Sequence, residues 1–75
     1  MITVLFFGKL REIAGTSIDL PPVASTDELL DQLRLQYPAL AAEKYVVAVD
    51  KKTITANTML NNNSIVALLP PFSGG

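Results

Sequence analysis

The chain has 75 residues, a formal net charge of -1, and neither Cys nor His. A chain of this length is expected to form one domain over residues 1–75 with one thin core, since it buries only about 60% of the surface its unfolded form exposes. The missing residue types exclude a Cys/His metal site, a disulfide, a thiol nucleophile and any acid–base chemistry that relies on imidazole.

The remaining charged groups do not assemble a catalytic pattern. The acidic residues Glu12, Asp19, Asp27, Glu28, Asp31, Glu43 and Asp50 are scattered, and most fall where a solvated helix face or a turn places them. The basic residues Lys9, Arg11, Arg34, Lys44, Lys51 and Lys52 form no run longer than a pair, which is not the footprint of a nucleic-acid binder. Hydrophobic residues make up 49%, yet no apolar stretch nears the roughly 20 residues of a membrane span. Nor does a basic segment followed by a cleavable apolar one open the chain. The expectation is a soluble, cytoplasmic, non-enzymatic protein whose partners are proteins.

In chain order, Met1 to Phe7 (MITVLFF) is β-branched, aromatic and apolar at both parities, the pattern of a central strand. Lys9 to Ala14 is too short for a stable helix and reads as a helical turn closed by Gly15. Thr16 to Leu20 alternates, with Ile18 and Leu20 on one face, and reads as a second strand antiparallel to the first; Pro21 and Pro22 end it. A helix follows. Ser25 with Glu28 has capping-box spacing, Thr26 is an equal candidate for the cap, and Asp27 and Glu28 suit the positive end of the helix dipole. Leu29, Leu30, Leu33 and Tyr37 make its apolar stripe, and Pro38 stops it near Tyr37. Tyr45 to Val49 and the short Thr53 to Ala56 read as strands, Asn61-Asn62-Asn63 as a tight turn, and Ser64 to Leu69 as the last strand.

The first and last strands are apolar on both faces, but one helix covers only one side of a sheet. With Val4, Phe6, Val66 and Leu68 facing the helix, Leu5, Phe7, Ala67 and Leu69 form an open apolar face, and such a patch marks a docking surface; the alternatives are that the C-terminal tail or a loop folds back over it, or that the parity is the reverse. Directly after Leu69 comes Pro70-Pro71-Phe72-Ser73-Gly74-Gly75. The prolines fix φ, remove two donors and hold Leu69 extended, so the tail projects from the body. Gly74 and Gly75 lack Cβ atoms and suit a narrow channel in another protein. The terminal carboxylate, with a pKa of about 3.5, is ionised and a poor electrophile, so any acyl chemistry requires an activating enzyme, for example one forming an acyl adenylate from ATP.

The segments VLFFGKLREIAG, STDELL and VALLPPFSGG together resemble the molybdopterin synthase small-subunit family of sulfur carriers, the MoaD family, along the whole chain. The most specific piece is a strand running into Pro-Pro, two variable residues and Gly-Gly. The resemblance implies an α+β, ubiquitin-like β-grasp fold: a mixed sheet of four to five strands with one main helix packed on one face and an extended tail over 70–75. It implies that Gly75 is adenylated by a ubiquitin-activating-like adenylyltransferase using ATP and converted to a thiocarboxylate with sulfur from a donor protein. It further implies insertion of Pro70, Pro71, Phe72, Ser73, Gly74 and Gly75 into the large synthase subunit of a heterotetramer. There the sulfur passes to cyclic pyranopterin monophosphate, with no cofactor or metal bound by the small subunit. Phe7, Arg11 and Leu69 match positions used at the family's protein interfaces. Asn62-Asn63-Ser64 replaces an Asp-Gly-Asp turn, with Asn63 expected in the left-handed position of the glycine, while Val49-Asp50 replaces Val-Asn with no evident reason.

Three other readings share these residues. A thiamine-pathway sulfur carrier also joins a β-grasp body to Gly-Gly but resembles this chain less at Pro70-Pro71 and at Leu10 to Gly15. A protein modifier would be joined through Gly75 to lysines, and a plain interaction module would carry an inert tail.

Overall fold

The computed structural model describes residues 1–71. Its elements are β1 (Ile2–Phe6), a 3-10 turn at Gly8–Leu10 leading into the short α1 (Arg11–Ala14), β2 (Ser17–Leu20) and α2 (Thr26–Gln36). A second 3-10 turn (Pro38–Ala42), β3 (Val46–Val49), β4 (Lys52–Ile54) and β5 (Ile65–Leu69) complete it. Every element expected from the sequence is present, with ends moved by one or two residues.

The five strands form one mixed sheet in the order β2-β1-β5-β3-β4. β1 and β5 lie parallel at its centre, with Val4 opposite Val66 and Phe6 opposite Leu68, whereas the β1–β2, β3–β5 and β3–β4 pairs are antiparallel. The two strands that are apolar at both parities are therefore the two innermost ones on that side of the sheet, where neither edge meets water.

The parity follows the sequence pattern. Ile2, Val4, Phe6, Val66 and Leu68 point toward α2 and are buried together with its Leu29 and Leu33 and with Leu10, Leu20 and Leu40. Tyr37, at the end of the helix, meets Phe6 edge-on with ring centroids 6.4 Å apart. Leu35 lies off this stripe and is 82% exposed.

Neither candidate hydroxyl caps α2 in the expected way. Ser25 occupies the cap position with extended backbone but makes no side-chain cap bond. The Asp27 N–H instead donates to the Asn57 Oδ1 at 2.9 Å, and Glu28 accepts from the Ala24 N–H at 3.0 Å, one residue before the position a capping box uses. The Thr26 hydroxyl is buried, accepting from the Thr58 N–H and donating to the Asn57 Oδ1. The helix start is thus built from a segment some thirty residues later in the chain, which also bonds through Thr26 N–H to Thr58 O and Leu60 N–H to Ala24 O.

The loops correct one expectation and explain another. Asn63 is not left-handed: positive φ outside glycine occurs at Asp50 (48°) and Lys51 (74°) among the described residues. The Asn61 side chain accepts from the Asn63 N–H at 3.0 Å, and Ser64 bonds back to Asn61, so an Asx-type turn closes without a left-handed residue. Asp50 and Lys51 are the two loop residues between Val49 and Lys52, which pair with each other, and a two-residue type I′ connection requires positive φ at both. Asp50 also accepts from the Ile65 N–H through Oδ1 at 2.9 Å and donates its own N–H to the Ile65 carbonyl at 2.8 Å. The acidic residue after β3 therefore ties the hairpin to the start of β5.

Candidate functional site: an open sheet face and the base of the tail

Successive residues of a strand point to opposite faces, so burying Val4, Phe6, Val66 and Leu68 sends their neighbours to the other side. Leu5, Phe7, Ala67 and Leu69 are only half-buried there, with Ala48 of β3 beside them. Leu5 pairs with Ala67, Ala48 with Ala67, and Val46 with Leu69, so the patch crosses three adjacent strands. It is dished, with a cavity volume of about 490 Å³, and the hairpin residues Asp50, Lys51 and Thr53 line it as well. An apolar floor with a charged rim on one side is the makeup of a protein docking surface.

The structure brings the three expected interface residues together. Phe7 and Leu69 line the same concavity. Arg11, at the start of α1, is held beside Phe7 by two contacts: its Nε donates to the Phe6 carbonyl at 3.1 Å, and its guanidinium lies 5.5 Å from the centroid of the Phe7 ring. Arg11 is thereby locked as a cationic flank of the apolar face. The sequence pattern placed Phe7 and Leu69 by parity; it contains no signal for the Arg11 contacts, which depend on how the 3-10 turn and α1 fold back on the end of β1.

β5 leads from this face straight into Pro70, and Pro71 borders a separate notch of about 330 Å³ with Lys9, Ala42, Glu43 and Lys44. Lys9 and Glu43 form an ion pair at 3.2 Å beside it. Of the residues expected to enter a partner, Pro70 and Pro71 are at the body's surface, while Phe72, Ser73, Gly74 and Gly75 lie outside the described residues. Among the described residues, no three His, Cys, Asp or Glu side chains converge as metal ligands, and no helix is long and apolar enough to cross a membrane. A larger groove of about 570 Å³ runs between α2 and the β3–β4 edge, but no residue of β1 or β5 lines it, and its Thr26 and Asn57 are engaged in fixing the helix start.

The sheet order, the single long helix among the described residues and the strand that exits into Pro70-Pro71 define a ubiquitin-like β-grasp protein with an exposed apolar face. A profile of the ThiS family matches residues 4–75, and the chain belongs to that family. The resemblance read from the sequence is borne out by curated relatives. The molybdopterin synthase sulfur carrier subunit of Escherichia coli (strain K12) is 35% identical over 83 residues, covering 100% of both chains. The protein of the same name from Arabidopsis thaliana is 30% identical over 79 residues, covering 99% of this chain and 82% of the relative. The solution structure of the small archaeal modifier protein 1 from Methanosarcina acetivorans superposes with a TM-score of 0.82 at 24% identity, covering 99% of this chain and 95% of that one, a likeness of fold.

Proposed function

We propose that this chain is the sulfur carrier subunit of a molybdopterin synthase and that its working group is the carboxylate of Gly75. The observation that carries the reading is the continuity of β5: one strand supplies Ala67 and Leu69 to the open apolar face and then runs into Pro70-Pro71. A partner that docks on the face is therefore placed at the root of the tail. Family membership and the sulfur-carrier relatives support the same conclusion.

In this mechanism, a carboxylate oxygen of Gly75 attacks the α-phosphorus of ATP in a ubiquitin-activating-like enzyme, and pyrophosphate leaves. The outer sulfur of a donor-protein persulfide then attacks the acyl carbon and displaces AMP, and a thiol cleaves the resulting acyl disulfide, forming a disulfide with the donor's sulfur and releasing the thiocarboxylate. The large synthase subunit takes up the tail, and the sulfur passes to cyclic pyranopterin monophosphate. The small subunit supplies no acid or base: Phe7, Arg11 and Leu69 dock, Pro70 and Pro71 stiffen the tail, and the chemistry takes place in the partners, in the cytoplasm.

The test is intact-protein mass spectrometry after incubation with the cognate activating enzyme, ATP and a sulfur donor. The expected product carries one oxygen replaced by sulfur, confined to the C-terminal peptide. Appending one residue beyond Gly75 removes that product, because the carboxylate then lies past the position where it meets ATP. An extended chain that still gains sulfur, or a native chain that never does with a verified activating enzyme, overturns the reading. Isopeptide conjugates in cell extract identify a modifier instead; the likeness to the archaeal modifier protein is one of fold and does not by itself favour that outcome.

A further inference from the structure

Two glycines among the described residues have positive φ, and they differ in what surrounds them. Gly15 (φ 85°) closes α1, and a Cβ added there would meet nothing within 4 Å. Gly8 (φ 59°) begins the 3-10 turn after β1, and a Cβ added there would come 2.6 Å from Cγ of Pro70, well inside van der Waals contact. The two segments are already tied just before this point, where the Phe7 N–H donates to the Leu68 carbonyl at 3.1 Å. On the far side, Pro71 borders the notch flanked by the Lys9–Glu43 ion pair. The base of the tail thus has a seat: the Pro70 ring occupies the volume that a side chain at position 8 would fill.

We infer that Gly8 is a positioning residue for the sulfur-carrier chemistry, its missing side chain seating Pro70 and so setting the direction in which the tail leaves the body. The inference rests on the carrier reading for its consequence, though the seat itself is a matter of packing. With φ locked in both prolines, the chain has little freedom between Leu69 and the residue after Pro71. A displacement of the Pro70 ring is therefore passed on to whatever follows. Reaction rates depend steeply on placement, so a carboxylate aimed wrongly loses rate even when docking on the open face is intact.

The experiment compares Gly8→Asn with Gly15→Asn, each also made in a Pro70→Ala background. Gly15, at φ 85° and ψ -169°, lies outside the left-handed region that Asn tolerates, so Gly15→Asn is the control with the larger backbone cost, while only the substitution at position 8 meets the proline ring. Sulfur gain is followed by mass spectrometry over a range of carrier concentrations. Gly8→Asn is expected to lower kcat about tenfold with KM changed less than about twofold, while Gly15→Asn leaves both within about twofold. In the Pro70→Ala background, adding Gly8→Asn is expected to lower kcat by less than about twofold, the non-additivity of two residues in contact. NMR shifts of the Leu69 amide and the Pro71 ring carbons, measured without any enzyme, should move in Gly8→Asn and stay in Gly15→Asn. If Gly8→Asn alone does not fold, recovery of folding by Pro70→Ala supports the seat, and failure to recover overturns it. A kcat equal to that of the native chain, an equal loss with and without the Pro70 ring, or unmoved Leu69 and Pro71 signals each overturn it too. A native chain that gains no sulfur sinks the carrier reading instead, and the NMR comparison then decides whether the seat exists.

Discussion

Leu68 and Leu69 are the same residue type, adjacent in the same strand, yet one is fully buried under α2 and the other lines the open face. The same contrast separates Phe6, the last residue of β1, from Phe7 immediately after it. On the helix side, apolar area is removed from water by the protein's own helix and contributes to folding. On the other side, comparable side chains are left half-covered and line the concavity that the proposed partner would fill. Identical chemistry is assigned to the core or to the open face by the pleat alone.

The sharpest way to break this comparison is to truncate the two leucines separately. Leu68→Ala is expected to cost about 2–5 kcal/mol, the range for deleting a fully buried leucine. That is a large part of the roughly 4–11 kcal/mol that a chain of this size has in total. Leu69→Ala is expected to cost about 1 kcal/mol or less, as for most partly exposed positions, while weakening binding to the large subunit. Phe7→Ala should weaken it about tenfold or more, as expected for an aromatic anchor near the centre of an interface. Chemical denaturation of each variant, paired with calorimetry against the large subunit, reads both quantities. Equal stability losses at Leu68 and Leu69 would erase the distinction between the faces.

How much of this was legible in advance differs between faces and loops. The parity of β1 and β5, the apolar stripe of α2 and the open face follow from period alone, because a twofold or 3.6-fold repeat leaves each side chain little choice once one face is buried. The connections carry weaker signals. Ser25 and Glu28 have the spacing of a capping box, yet the cap oxygen comes from Asn57, and a single asparagine in a distant loop announces nothing about which helix it will meet. Asp50-Lys51 between two short strands has the length of a tight hairpin but not its usual Asn-Gly composition, so the composition carries no signal for its left-handed pair. The Gly8–Pro70 contact joins residues 62 positions apart and is set by the parallel pairing of β1 and β5, which local pattern cannot supply.

Asn57 offers the next effect in size. Its Oδ1 accepts from the Asp27 N–H and from the Thr26 hydroxyl, and Asn57→Ala leaves both without that acceptor. A loss of about 1 kcal/mol is expected, typical of a removed helix cap. Because this clamp belongs to the helix side, affinity for the large subunit should be unchanged. A thermal melt and a binding titration on the same preparation check the pair, and reduced affinity at intact folding would show that the faces are coupled through α2.

The smallest effect has the opposite sign and falls at the border of the open face. Lys51 has φ of 74°, a region where a Cβ crowds the following carbonyl and where glycine is at no such disadvantage. It is the second loop residue of the β3–β4 hairpin, the position where a type I′ turn most often carries Gly. Lys51→Gly is therefore expected to raise stability by roughly 0.5–1 kcal/mol, the relief of backbone strain less the added freedom of glycine in the unfolded chain. The same side chain lines the concavity of the open face, so its removal also deletes a positive charge from the docking rim. Rim charges act mainly through the rate of encounter, and the expected signature is a slower association whose difference from the native chain shrinks as salt is raised. Denaturation curves and stopped-flow association at two salt concentrations measure the two effects independently. A variant that is more stable and associates more slowly places Lys51 on both sides of the comparison, with its backbone costing the fold and its ammonium serving the face. A variant that gains stability with unchanged association confines Lys51 to the turn, and one that loses stability shows that its side chain contributes more to the fold than its backbone costs.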